Sequence, residues 1–169
     1  TFTRAEGNAE NEFAHWNEAY LASVYGTFPA RKTVIMPWDQ PHTLNVNFSY
    51  DNPLGFGINM VGNMGSGLPY TPTDSRGRQL DEKNSGRMPP TSIFDLKMYY
   101  DFSYSGLKCR IFSDIENVFN YQNILNVFND SGKVDESLDP GTSQIYEFQP
   151  QWYGKPRHIE IGIEFGMGG

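Results

Sequence analysis

Three features are scarce in this chain of 169 residues, and each scarcity excludes a class of protein. Cysteine occurs once, as Cys109, which excludes an intrachain disulfide and a cysteine-based metal cluster. No stretch approaches the ~18 uninterrupted apolar residues of a membrane-spanning helix. Positive charge is outnumbered, with 13 Lys and Arg against 20 Asp and Glu and a net charge of −7. That balance argues against a protein that binds nucleic acid along its phosphates.

Aromatic residues are abundant at 15 %, although hydrophobic residues reach only 38 %. An intrinsically disordered chain would be poor in aromatics, so this composition argues against disorder. It is compatible with membrane-spanning β-strands, in which only every second residue must be apolar.

Alternation of apolar and polar residues with period two is the main pattern of the chain. Four segments show it clearly, and they are Thr43–Tyr50, Ile93–Tyr104, Leu107–Phe119 and Ile159–Met167. A fifth segment, Gly55–Ser66, shows it more weakly, and Thr1–Arg4 reads as the stub of a sixth strand. The sequence therefore predicts an all-β, antiparallel fold with about five full strands and a stub.

Short and long connections alternate between these predicted strands. Asp51–Leu54 and Ser105-Gly106 have the composition of tight turns. The long connections run over about Glu6–Gln40, Gly67–Thr91 and Asn120–Arg157, and all of them must leave one end of the sheet. Outer-membrane barrels have this asymmetry of short and long connections.

Within the first long connection, Glu10–Tyr25 has the composition of a short helix.

The polar face of the predicted strands carries many charged residues, and we expect this face to line the interior of a barrel. Its charged members are Asp95, Lys97, Asp101, Lys108, Arg110, Asp114, Glu116, Glu160 and Glu164. Aromatics lie near the strand ends, as the two aromatic belts of a membrane barrel would. They are Tyr50, Phe56, Phe102, Tyr104 and Phe165 at the short-turn end, with Tyr70, Phe119 and Tyr121 at the other. A soluble β-sandwich binding module is the alternative, because its strands also alternate.

The predicted strands are too few to enclose a barrel by themselves. The smallest membrane barrels use about eight strands, and a sheet edge cannot stay unpaired in lipid. The remaining strands must therefore belong to a longer chain or to another chain.

Three segments carry a resemblance to a known family. They are Trp38–Asn45 (WDQPHTLN), Ser66–Pro72 (SGLPYTP) and Glu116–Asn120 (ENVFN), the last followed by Asn123 and by Gly154–Arg157 (GKPR). With them the chain resembles, over nearly its whole length, the C-terminal part of a TonB-dependent outer-membrane receptor of Bacteroidota-like bacteria. The end of the chain departs from the family pattern. Barrels of this family often end on an aromatic residue, whereas here Phe165 is followed by Gly166–Gly169.

This resemblance implies the location, the partners and the activity. Residues 1–169 would be the C-terminal segment of a barrel of about 22 strands, the number in large plugged transporters, with the plug domain outside this segment. The expected partners are outer-membrane lipid, the remaining strands, the plug, the TonB complex and, as a further candidate, a surface lipoprotein. The expected function is uptake of a bulky ligand across the bacterial outer membrane. Siderophores, glycans, peptides and cobalamin remain open as substrates, and a porin-like or structural barrel without a plug is the alternative.

The sequence offers no catalytic arrangement and no cofactor site, so we expect no enzymatic activity. His15, His42 and His158 are far apart, and none has a plausible Ser or Cys partner. A metal site formed by His15 with Glu10 and Glu12 is conceivable, but a solvated face is the simpler interpretation. Glu160 and Glu164 share a face and could pair with Lys108 and Arg110, so we interpret them as wall structure and not as a pair of hydrolase carboxylates.

Ligand contact is expected on the long connections. Trp38, Trp152 and Tyr153 offer stacking surfaces, and Arg76, Arg78 and Arg87 offer contacts to anions. Loop packing and anchoring at the membrane interface are the alternative roles for the same side chains.

Overall fold

The computed structural model describes residues 1–8, 14–25, 33–141 and 144–167, and antiparallel strands dominate it, so the fold is all-β. Its strands are β1 Glu6–Gly7, β2 Val34–Ile35, β3 Thr43–Asp51, β4 Phe56–Gly65, β5 Pro69–Tyr70, β6 Gly86–Arg87, β7 Thr91–Tyr104, β8 Leu107–Glu116 and β9 His158–Met167. The helices are α1 Ala14–Tyr25 and α2 Gln144–Glu147, with a 3₁₀ turn at Pro150–Trp152.

The chain divides into two compact units. The unit with the long strands, here the sheet unit, consists of Thr43–Gly65, Pro90–Leu125 and Tyr153–Gly169. The unit formed by the connections, here the loop unit, consists of Thr1–His42, Ser66–Pro89 and Asn126–Trp152.

The long strands form one five-stranded antiparallel sheet in the order β3-β4-β7-β8-β9. The register places apolar residues side by side across its full width. One such row is Phe48, Met60, Leu96, Ile115 and Ile159. The neighbouring row on the opposite face is Ser49, Asn59, Lys97, Asp114 and Glu160. Because a slip of one residue would exchange the faces, this register confirms the predicted alternation.

The two predicted tight turns are present at one end of the sheet. Ser105 (φ 52°) and Gly106 (φ 82°) both adopt left-handed backbone, as a two-residue turn between β7 and β8 requires. Between β3 and β4, the Leu54 N–H donates to Asn52 Oδ1 (2.9 Å) and Gly55 takes φ 91°. A Cβ at Gly55 would collide with the Asp101 carbonyl, so glycine is required there.

Two strand boundaries differ from the prediction by more than one residue, and asparagines explain both. Strand β8 ends at Glu116 and does not continue to Phe119, because Asn117 turns to φ 51°. Strand β7 begins at Thr91, two residues before the predicted start at Ile93. The Asn123 side chain pairs with the Ser92 backbone in the manner of a neighbouring strand, accepting from its N–H (2.7 Å) and donating to its carbonyl (2.9 Å).

The predicted strand stub at Thr1–Arg4 is wrong as a strand. Phe2 makes a single antiparallel bridge to His42, and the Thr3 N–H donates to the Pro41 carbonyl (3.0 Å). The pairing then breaks because the Ala5 N–H donates to the Asp39 carboxylate instead of a backbone carbonyl. Pairing resumes only in the short strands β1 and β2.

Helix α1 falls within the predicted range Glu10–Tyr25, of which residues 10–13 lie outside the described part. None of the described helices is long and apolar enough to cross a membrane. The loop unit has a small core in which Met36, Val127 and Val134 are buried.

The sheet unit lacks such a core. Among its described apolar side chains only Cys109 is buried. On the apolar face of β9, Ile161 is 73 % exposed, Ile163 57 % and Phe165 72 %. The sheet therefore presents a broad apolar surface that its own unit leaves uncovered.

Candidate functional site

Charged side chains meet on the polar face of the sheet unit. Arg110 on β8 binds Asp101 on β7 through two hydrogen bonds, from Nε (2.6 Å) and Nη2 (2.9 Å). Lys97 lies opposite Asp114 with 2.6 Å between Nζ and Oδ2. Each pair joins opposite charges on neighbouring strands, so these pairs stabilise the sheet.

The Tyr99 ring extends this polar-face network. The Arg110 guanidinium lies 4.3 Å from the centroid of the Tyr99 ring, and the Tyr99 hydroxyl donates to Asp51 Oδ1 (2.5 Å). The ring lies over Gly57, where a Cβ would collide with it. Such stacking of an aromatic residue over a cross-strand glycine compensates for the missing side chain.

The glutamates of β9 match their expected partners only in part. Glu164 lies opposite Arg110 in the register, as expected, but Arg110 binds Asp101. Glu160 lies opposite Asp114, which is a carboxylate and not a cation. Both glutamates are exposed.

A concave region of about 500 Å³ lies where β7, β8 and β9 meet near the short-turn end. It is lined from both faces, by Asp101, Lys108 and Arg110 of the polar face and by Phe102, Cys109 and Phe165 of the apolar face, among others. Its lining combines opposite faces of one sheet.

Asn117 organises the opposite end of the sheet unit. Its side chain is 4 % exposed, donates from Nδ2 to the carbonyls of Tyr121 and Lys155 (3.0 Å each) and accepts from the Tyr121 N–H (3.0 Å). Its own N–H donates to Asp95 Oδ1 (2.9 Å). One buried amide thus connects the end of β8 to the segment that leads into β9.

Asn120 and Asn123 complete an arrangement that we call the asparagine clamp, Asn117 with Asn120 and Asn123. Asn120 Oδ1 accepts from the Arg157 N–H (2.9 Å), and the Asn123 carbonyl accepts from the Gly154 N–H (2.8 Å). The clamp gives a physical role to the spaced asparagines and to the GKPR segment that carry the family resemblance.

The segment held by the clamp is basic. Lys155, Arg157 and His158 line a second concave region of about 420 Å³ together with Glu116 and Pro156. The three basic side chains are exposed. No ion pair joins Lys155 or Arg157 to the part of the chain that the structure describes.

In the loop unit, Arg87 is engaged internally. It forms an ion pair with Asp39 and donates from Nη1 to the Asp39 carbonyl (2.6 Å). Asp39 is 1 % exposed. Burial raises the pKa of its carboxyl, but hydrogen bonds from Arg87 and the Ala5 N–H, with the charge of Arg87, outweigh burial and lower it. This predicted ligand contact is therefore part of a structural ion pair.

The other predicted ligand contacts are dispersed. Arg78 pairs with Asp74, and Trp152 packs edge-on against Phe128 at 4.7 Å. Trp38 is 57 % exposed. Arg76 is also exposed, while Tyr153 belongs to the sheet unit and bridges Ile124. Within the described residues of the loop unit, no hydrogen bond, ion pair or ring contact joins any two of its five candidates.

The aromatic residues that were expected at the two strand ends are placed unevenly. Tyr100 stacks on Phe102 at 6.0 Å on the apolar face, towards the short turns. At the other end Phe119, 69 % exposed, meets Phe94 edge-on at 5.3 Å. Tyr70 belongs to the loop unit instead, where its ring lies over Gly86.

The described residues contain no group of three or more His, Cys, Asp and Glu that could hold a metal ion. Glu10, Glu12 and the His15 side chain lie outside the described part, so the metal hypothesis at that place is untested. Sequence reasoning missed the clamp contacts, although asparagines three residues apart after a strand were a visible signal.

Comparisons of the chain with models of protein families, with curated proteins and with solved structures gave no match.

Proposed function

We propose that this chain forms part of the wall and the external loops of an outer-membrane β-barrel that takes up a bulky ligand, in the manner of a TonB-dependent receptor. The observation that carries the proposal is the uncovered apolar face of the sheet unit, opposite a charged face. Leaving a Leu, Ile or Phe side chain in water instead of burying it forgoes roughly 1.5–3 kcal/mol. A contiguous surface of such residues needs an apolar partner.

Strand length favours lipid as that partner. Strands β3, β4, β8 and β9 contain 9 or 10 residues, and β7 contains 14. A tilted strand needs roughly 9–11 residues to cross the hydrocarbon. A second soluble sheet is the rival partner, but the other described sheets have two strands of two residues each.

Barrel closure requires further strands. In the described residues, β3 and β9 are each paired on one side only. Because lipid cannot satisfy bare strand edges, the proposal assigns both edges to strands outside these residues, in a barrel of about 22 strands. The charged face would then line the interior, against a plug.

The loop unit favours a role in ligand uptake over a purely structural role. Thr1–His42, Ser66–Pro89 and Asn126–Trp152 together form a compact unit with its own buried residues. The side chains of Trp38 and Arg76 are exposed, and neither forms a hydrogen bond or ion pair with the residues that the structure describes. They are the proposed points of ligand contact.

The test separates location from transport. We expect the intact protein that carries this chain to sediment with the outer membrane and to migrate faster on gels before heating than after it. Recovery as a monodisperse monomer without detergent would support the soluble sandwich instead. Uptake of labelled siderophores, glycans, peptides or cobalamin should stop when an uncoupler is added. Uptake that continues unchanged would favour the porin-like alternative.

A further inference from the structure

We infer that the basic segment Lys155–His158 binds the phosphate of an anionic lipid headgroup at the long-connection end of β9. The inference rests on the proposed function, because it requires the apolar face of the sheet unit to contact lipid.

The segment is held in place before any ligand arrives. Asn117 Nδ2 donates to the Lys155 carbonyl (3.0 Å), and the Arg157 N–H donates to Asn120 Oδ1 (2.9 Å). Pro156 between them has a fixed φ. Two cationic residues therefore project from a backbone that is fixed on both sides, which lowers the entropy that binding must overcome.

The basic side chains of Lys155 and Arg157 take no part in the ion pairs between described residues. Lys155 and Arg157 are exposed and form no ion pair with the described residues, whereas Lys97, Arg87 and Arg110 do. Glu116 is the one acidic residue that lines their 420 Å³ concavity. In a chain with a net charge of −7, this concentration of unpaired positive charge favours an anion.

The position of Arg157 indicates which anion. Arg157 has the parity of Ile159 and Ile161 on β9, and it lies two residues beyond the first of them. At about 3.3 Å per residue, it stands about 7 Å outside the apolar strip. Acyl chains on the isoleucines would place a headgroup phosphate beside the guanidinium, which can bind it through two hydrogen bonds.

No other strand end at the long-connection side offers this chemistry in the described residues. His42 precedes β3, Ser66 and Gly67 follow β4, Pro90 precedes β7, and Asn117 follows β8. A phosphate-bearing lipid is therefore directed to the β9 end alone.

The experiment measures lipid binding to the intact protein that carries this chain. The protein is inserted into phosphatidylcholine vesicles as a first arm. In a second arm it is titrated in detergent with phosphatidylglycerol, with phosphatidylcholine and with inorganic phosphate, and bound molecules are counted by native mass spectrometry. The variants are K155Q, R157Q and the double variant K155Q/R157Q, with K155R/R157K as the charge-conserving form. K108Q/K133Q is the control, which removes the same charge from exposed lysines elsewhere.

We expect each single variant to bind phosphatidylglycerol about fivefold more weakly and the double variant about thirtyfold, since one cation near an anionic surface contributes about 1 kcal/mol. The control should bind as the wild type does. The charge-conserving variant keeps both charges but loses the bidentate guanidinium at position 157, so its affinity should lie between those of the wild type and the double variant. Insertion into vesicles with equal phosphatidylglycerol binding by wild type and double variant would overturn the inference and leave the proposed function standing. Inorganic phosphate that binds as tightly as the lipid would also overturn it. Failure to insert would overturn both.

Discussion

Replacement of Asn117 tests the asparagine clamp. N117A removes the three side-chain hydrogen bonds to Tyr121 and Lys155. At about 1 kcal/mol for each bond, the loss is about 3 kcal/mol. Alanine must also adopt the left-handed φ of 51°, which adds about 1 kcal/mol. We therefore expect the free energy of unfolding to fall by about 4 kcal/mol, while N117G, free of the backbone strain, should lose about 1 kcal/mol less.

The matched control is N120A. Asn120 has the same φ of 51° but is exposed and accepts one side-chain hydrogen bond, from Arg157. We expect a loss of about 1–2 kcal/mol there.

The assay for these variants is urea unfolding of the intact protein in detergent micelles, with amide hydrogen exchange as the local readout. N117A should speed exchange at the Tyr121 amide, and N120A at the Arg157 amide alone, because those N–H groups lose their acceptors. Equal losses in N117A and N120A, or a loss below about 1 kcal/mol in N117A, would refute the reasoning that the buried amide organises this end.

Three further predictions concern the ion pair of the loop unit and the polar face. D39A should lower the free energy of unfolding by about 3 kcal/mol, because it leaves Arg87 without its partner, and D39A/R87M should recover part of that loss in the same urea assay. The pKa of Asp39 lies below its ordinary value of 3.8. The contribution of its carboxylate to the free energy of unfolding should therefore be complete above about pH 4 and disappear as the pH falls through the lowered pKa. A pH series of unfolding curves in which D39N loses the same stability in acid would contradict this. G57A should cost about 1–3 kcal/mol because its Cβ collides with the Tyr99 ring, whereas G166A, with open space around it, should be nearly neutral in thermal unfolding.

Alternation was sufficient to predict the sheet. Parity assigns Phe48 and Ile159 to the same face, and the tight turns fix the pairing of β3 with β4 and of β7 with β8. The exact pairing of β4 with β7 and of β8 with β9 spans long connections, so parity alone did not determine it. The exact ends of β7 and β8 were not predictable, because they depend on the Asn123 and Asn117 side chains and on a left-handed backbone that period two does not encode.

Side-chain pairs between residues far apart in sequence could not be predicted either, because the local pattern carries no signal for them. Arg87 and Asp39 are 48 residues apart, and nothing local indicates that an arginine in a connection will bind a buried carboxylate. Their pairing removes Arg87 from the expected ligand contacts. The strand stub at Thr1–Arg4 was wrong because Asp39 draws the Ala5 N–H out of the backbone pairing.

The central claim is that the apolar face of the sheet unit contacts lipid, and alternate positions on β9 test it most directly. Single cysteines at Glu160, Ile161, Ile163 and Glu164, in a C109S background, carry a fluorophore in the intact protein inserted into vesicles of brominated phosphatidylcholine. We predict strong quenching by the brominated lipid at positions 161 and 163 and weak quenching at 160 and 164, since neighbouring residues of a strand face opposite sides. Equal quenching at all four positions, or quenching at none, would contradict the account.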